Sequence, residues 1–156
     1  MKGNEKLIKT LNSLLADELT AISQYMVHSE MYDNWGYEKL HKKFEKTAID
    51  EMKHAEKLIA RIIFLDGRPV VSELRKFHIG EEPKGMIGND LANELAAVKL
   101  YNDLVALAVE AGDNVTRELA ESILKDEEGH VDFEEAQLDQ IGQMGIQTFL
   151  AEQTKD

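Results

Sequence analysis

The chain contains no cysteine. That excludes disulfides, iron–sulfur clusters and thiolate catalysis. Only two prolines, Pro69 and Pro83, interrupt 156 residues, so long helices can form. Basic residues are scarce: 18 Lys and Arg stand against 30 Asp and Glu, for a formal net charge of −12. A phosphate-binding face needs bases, so neither nucleic acid nor an anionic membrane is an expected partner. No stretch approaches the roughly 18 apolar residues of a membrane span. The segment from Met1 to Thr10 has no apolar core of the signal-peptide kind. These absences lead to the expectation of a cytoplasmic protein forming one domain over 1–156, with chain enough to bury a substantial core.

What the chain does have is helical periodicity. Leu7, Ile8, Leu11, Leu14, Leu15, Leu19, Ile22, Tyr25 and Met26 recur on one face, predicting a first helix over about 5–33 with Asn4 as its N-cap. Asp33-Asn34-Trp35-Gly36 is turn chemistry. A second helix over about 37–65 carries Leu40, Phe44, Ala48, Ala55, Leu58, Ile62 and Leu65. Asp66-Gly67-Arg68-Pro69 should end it, with Gly67 suited to the position after the last turn. The next segment, to about residue 82, has no period. A helix of about 28 residues is about 42 Å long, and about 17 extended residues can span about 55 Å, so this segment can return along the whole bundle. Pro83 suits the first turn of a third helix reaching about residue 111, and Gly112-Asp113-Asn114 turns into a fourth over about 115–141, weakened by Gly142 and Gly145. Ile146, Phe149 and Leu150 mark a short helix over about 145–154 that must dock on something to be stable. The expected fold is all-α: two hairpins, about 5–65 and 83–141, in a four-helix bundle with one long crossover of the ferritin-like kind and a short fifth C-terminal helix.

Two Glu-x-x-His words organise this pattern, Glu51 to His54 and Glu127 to His130, each preceded by an Asp. Their offset is 76 (127 − 51 and 130 − 54), and Glu18 and Glu94 repeat it (94 − 18). Leu15-Ala-Asp-Glu-Leu-Thr-Ala-Ile-Ser-Gln-Tyr25 aligns with Leu91-Ala-Asn-Glu-Leu-Ala-Ala-Val-Lys-Leu-Tyr101 at the same offset, so the hairpins are two copies of one unit. Residues three apart on a helix share a face. One Glu from each of two helices plus Glu-x-x-His from each of the other two is the pattern of a di-iron or di-manganese carboxylate centre. The spacing suggests Glu51 and Glu127 as bridges, Glu18 with His54 on one metal, and Glu94 with His130 on the other. Oxygen and imidazole ligands suit Fe(II) and Mn(II). Four carboxylates balance two divalent ions, whereas the empty site would crowd four buried acids. A single Glu-x-x-His is usually an ordinary surface pair; two in register with a third acid are not.

Around these six, Asp50 and Asp126 can each accept the outer N–H of a ligand histidine, in their own helix or across the bundle, or be solvated helical acids. Tyr25 and Tyr101, seven residues after Glu18 and Glu94, are hydrogen-bond donors to a carboxylate, electron donors, or core tyrosines. His28, His41 and His78 lack partners at ligand spacing and are expected on the surface. Met52 lies about 100° round the helix from Glu51, facing outward, where an apolar residue commonly marks a subunit contact.

These residues resemble those of the bacterioferritins along essentially the whole chain. The likeness includes the opening Met-Lys-Gly, Asn34-Trp35-Gly36, Asp50 through Ala55, Phe64-Leu65-Asp66-Gly67, Ile79-Gly80 and Asp126 through His130. The resemblance implies iron storage and detoxification. Fe(II) would be oxidised by O2 or H2O2 at a ferroxidase centre of two iron ions per subunit, held by Glu18, Glu51, His54, Glu94, Glu127 and His130. Ferric mineral would fill a shell of 24 subunits built from two-fold dimers, with the last helix at the four-fold axis. It also implies a b-type haem shared by two subunits, with Met52 of each as axial ligand, and a ferredoxin-type reductant. Some members bind iron on the inner surface through Asp50 and a His at position 46; this chain has Lys46, a departure from that pattern. Two other classes remain: a di-iron peroxidase of the rubrerythrin kind, which normally brings a Cys-rich iron site, and a DNA-protecting mini-ferritin, which the net charge opposes.

Overall fold

The computed structural model describes residues 1–154, so residues 155 and 156 of the expected domain lie outside the described residues. Five helices follow one another: α1 Glu5–Asn34, α2 Glu38–Phe64, α3 Pro83–Glu110, α4 Asn114–Met144 and α5 Ile146–Gln153. Their starts follow from local chemistry. Asn4 accepts from Leu7 N–H at 3.0 Å, Glu82 accepts from Lys84 and Gly85 N–H ahead of Pro83, and Asp113 accepts from Thr116 N–H. Each of these carboxylate or amide oxygens satisfies a backbone donor that the first turn leaves without a partner.

Three details differ from the sequence expectation. Gly142 does not stop α4, which runs on to Met144; Gly145, at φ +81°, makes the break. The left-handed residue after α2 is Asp66, at φ +58°, not Gly67. Gly67 is there for space, because a Cβ would come within 2.7 Å of the Ile8 methyl. Met26, expected on the apolar stripe of α1, is 50 % exposed, since the stripe drifts round a helix this long.

The chain direction of the bundle can be read from its hydrogen bonds. Along the crossover, Arg68 O accepts from Asn12, Val70 N–H donates to Asn12, Arg75 N–H to Thr20, His78 N–H to Gln24 and Gly80 N–H to His28. Both numberings rise together, so the crossover runs parallel to α1 for about 24 Å at 1.5 Å per helical residue. The contacts from α1 to α3 run the other way: Gln24 and His28 meet Asp90, while Tyr101 meets Glu18. Thus α3 is antiparallel to α1, as α2 is, and α2 and α3 point the same way. The long crossover has the job its length implied.

Two apolar clusters fill the bundle. At one end Leu7, Leu11, Leu14, Leu58, Ile62, Leu104 and Ile123 pack together. At the other, Tyr25, Tyr32, Phe44, Met86 and Ile87 pack with Phe149, which anchors α5. Each fully buried aliphatic side chain contributes about 1.5–3 kcal/mol. The six residues singled out by the repeat lie in the polar layer between these clusters.

Candidate metal centre

Glu18 comes from α1, Glu51 and His54 from α2, Glu94 from α3, and Glu127 and His130 from α4. All are at most 7 % exposed. Their donor atoms fall into two overlapping groups that could hold a metal ion: Glu18, Glu51, His54 and Glu127, and then Glu51, Glu94, Glu127 and His130. Within each group the donor atoms lie within 4.8 Å of one another. Glu51 and Glu127 belong to both, as bridging carboxylates would.

The histidines define the two poles. His54 Nδ1 is 3.2 Å from Glu51 Oε2, 3.1 Å from Glu127 Oε1 and 3.7 Å from Glu18 Oε1. His130 Nδ1 is 3.1 Å from Glu51 Oε1, 3.2 Å from Glu94 Oε1 and 3.6 Å from Glu127 Oε1. Both Nδ1 atoms face the centre, and both Nε2 atoms face acids of the opposite hairpin. His54 Nε2 is 2.9 Å from Asp126 Oδ2, and His130 Nε2 is 3.6 Å from Asp50 Oδ2. Of the arrangements open to Asp50 and Asp126, the structure therefore has the one across the bundle. Lys46 Nζ also donates to Asp50 Oδ2 at 3.0 Å, so a fixed cation already occupies that carboxylate. Burial would raise the Asp50 pKa, but the Lys46 contact holds it below the ordinary carboxylate value.

The electrostatics are those of a cation site. Among the described residues Glu18 Oε2 and Glu94 Oε2 have no hydrogen-bond partner despite full burial, and Glu51 Oε1 and Glu127 Oε1 face the two histidine Nδ1 atoms. Burying carboxylates in this state is unfavourable unless a cation compensates. Burial and the charges of Glu18 and Glu94 drive the Glu51 pKa up, and burial drives that of Glu127 up against its His54 contact. For His54, burial would lower the pKa, but the carboxylates of Glu127 and Glu18 raise it to about 11.

The tyrosines cross between the hairpins. Tyr101 donates to Glu18 Oε1, and Tyr25 Oη is 2.6 Å from both Glu94 Oε1 and Glu134 Oε1. Each tyrosine therefore serves the acid of the other copy, not the one seven residues before it. Glu134 was missed by sequence reasoning. The signal was there, because it follows Glu127 by seven residues and so shares its face. His28, expected on the surface, is fully buried. Its Nε2 accepts from Gly80 N–H at 3.1 Å, so Nδ1–H donates to Asp90 Oδ2 at 2.7 Å. His41 is half-buried against Ser29, while His78 is exposed as expected. Met52 is 43 % exposed on the outside of α2, one turn from Ile49 at 42 %.

A cavity of about 280 Å³ extends from Glu18, Glu94 and Glu127 to Arg75 and His78 of the crossover. Among the described residues no helix is long and apolar enough to cross a membrane.

Residues 8–144 match the family model described as a ferritin-like domain. The chain is 46 % identical over 149 residues to the bacterioferritin of Rhodobacter capsulatus, covering 96 % of this chain and 92 % of that one. It is 40 % identical to the bacterioferritin of Brucella melitensis biotype 1 over the same shares. To the bacterioferritin of Mycobacterium tuberculosis (strain CDC 1551 / Oshkosh) it is 35 % identical over 152 residues, 97 % of this chain and 96 % of that one. With its five-helix architecture and paired carboxylate–histidine groups, the chain belongs to the ferritin family and, within it, to the bacterioferritins.

Proposed function

We propose that this protein stores iron and that its buried centre is a ferroxidase. The observation that carries this reading is the pair of overlapping donor groups sharing Glu51 and Glu127. Four Fe(II) give four electrons to one O2, and four protons complete two waters. Fe(II) and the oxidant reach the centre through the cavity beside Arg75 and His78, and the ferric product is deposited as mineral inside the shell. Glu18 with His54 and Glu94 with His130 would each hold one Fe(II), and Glu51 and Glu127, which belong to both groups, would serve either ion. Two divalent ions would cancel the charge of the four carboxylates, and His54 and His130 would face them with neutral Nδ1 atoms. Asp126 and Asp50 keep the ligand tautomer of the histidines, and the tyrosines keep Glu94 and Glu18 turned toward the centre.

Met52 and Ile49 form an exposed apolar step on the outer face of α2, a surface that suits a porphyrin face and a thioether ligand. Two Met52 side chains, one from each subunit of a two-fold dimer, would hold a b-type haem, which supplies one-electron transfer. Exposed Met26, Trp35 and Ile63 are further apolar surface that a 24-subunit shell would cover. A cytoplasmic site of action and a ferredoxin-type reductant complete the reading.

Stopped-flow Fe(II) oxidation tests the centre. Glu18→Ala and Glu94→Ala should each slow the initial fast phase by about 100-fold or more, beyond the 10–100-fold expected for groups that only orient ligands. Unchanged initial rates would remove the ferroxidase assignment. For the haem, Met52→Leu should abolish the Soret band while leaving assembly intact, and a retained band would refute axial ligation. A gel shift at low salt covers the DNA-protecting alternative, for which no retardation is expected.

A further inference from the structure

Tyr25 Oη carries one proton yet lies 2.6 Å from two carboxyl oxygens, Glu94 Oε1 and Glu134 Oε1. One O–H can serve only one of them. At that distance the other oxygen must itself carry a proton and donate to the tyrosine oxygen, because two bare lone pairs would repel. Glu94 has His130 Nδ1 at 3.2 Å and is suited to remain the carboxylate. Among the described residues Glu134 has no ring nitrogen of this kind beside it. The groups acting on it are Tyr25 of α1, Glu94 and Asp90 of α3, and Glu127 of its own helix. It is 1 % exposed, and its Oε2 has no partner. A lone carboxylate in that position would be costly.

We propose that Glu134 is a positioning residue of the metal centre: as a neutral acid it donates its O–H to Tyr25 Oη, commits the Tyr25 proton to Glu94, and makes the two metal positions unequal. The inequality rests on the two-metal reading above; the hydrogen-bond chain does not. Burial, Glu94 and Asp90 push the Glu134 pKa up to about 10, in the same sense. The repeat supplies an internal control. Tyr101 donates to Glu18 in the same way, but the counterpart of Glu134 is Leu58 (134 − 76), so among the described residues no third group donates to that tyrosine. Hydrogen bonds in series strengthen one another. Tyr25 is thus the stronger donor, and Glu94 the less basic ligand.

The test uses metal-free protein. Its infrared spectrum should contain a neutral carboxyl C=O band that is missing in Glu134→Gln and Glu134→Leu and displaced in Tyr25→Phe, which removes the acceptor. In a Co(II) titration, Glu134→Leu should tighten the weaker of the two binding steps by about two- to fivefold, from the usual size of a charge-assisted hydrogen bond and its cooperativity. Glu134→Gln, which still offers an N–H to Tyr25, should restore near-wild-type binding. If the wild type and Glu134→Gln show the same carboxyl bands, the proposal is wrong. Weaker Co(II) binding in Glu134→Leu would also overturn it, because that is the mark of a lost anion. Unchanged Co(II) steps would remove the inequality. A wild-type protein that fails to oxidise Fe(II) would sink the ferroxidase reading and leave these results standing.

Discussion

The two ends of this bundle are related by the repeat, and at three matched positions they are opposite in chemistry. Leu14, Leu58 and Leu104 sit in the apolar cluster at one end. At the same offset of 76, the other end has Asp90, Glu134 and His28, all buried (14 + 76, 58 + 76 and 104 − 76). The six proposed metal ligands between them are kept in both copies. The difference teaches where duplication constrains a fold and where it does not. In the two-metal reading the ligands match because two metals need matching sets. The supports diverge because the crossover passes the bundle only once. Its backbone N–H groups at His78 and Gly80 need acceptors, and Gln24 and His28 supply them, with Asp90 tying the two together. Among the described residues no backbone N–H of the crossover is seen to donate toward the counterpart residues Leu100 and Leu104, whose side chains are apolar. Glu134 is different, because its partner is the centre's own Tyr25 and not the crossover.

The comparison can be broken most severely at the apolar end. Leu58→Ala removes a fully buried side chain from the apolar cluster, and should cost about 2–5 kcal/mol in denaturant unfolding. A loss under about 1 kcal/mol would show that this end is not close-packed.

The polar end should respond in the opposite direction. The Glu134 pKa rises from an ordinary 4.5 to about 10 on folding. Between those values the unfolded chain has lost the proton that the folded one keeps, so metal-free stability falls as pH rises, by about 1.4 kcal/mol per unit. Glu134→Gln removes that slope. The variant should match the wild type near pH 4.5 and exceed it by about 3 kcal/mol at pH 7. Thermal melts across this range measure the gap, and parallel curves would contradict the neutral acid.

The smallest effect separates the two histidine supports. Asp126 approaches His54 to 2.9 Å, whereas Asp50 is 3.6 Å from His130 and is engaged by Lys46. Asp126→Asn should weaken Co(II) binding by about tenfold, and Asp50→Asn by less. Equal losses would mean that Lys46 does not weaken the Asp50 contact.

Much of this was legible in the sequence. The helices were set by apolar spacing over long segments, and the six ligands by an offset that holds for three residues at once. His28 and Glu134 went unread for one cause: they have no repeat partner of the same kind. His28 looked like a lone surface histidine because its partners, Asp90 and Gly80, are far away in sequence and related by no fixed spacing. Glu134 lay on the right face, but Leu58 at its counterpart position hid it. Asp66 took the left-handed turn that Gly67 suggested, because Gly67 was needed where Ile8 comes close.

The central claim is that six residues from two copies form one two-metal centre. A crystal of the protein soaked anaerobically in Fe(II) and measured at the iron absorption edge tests it directly. Two anomalous peaks per chain are expected, one bonded to Glu18 and His54 and the other to Glu94 and His130, with Glu51 and Glu127 reaching both. A single peak, or iron bound away from these residues, would contradict the account.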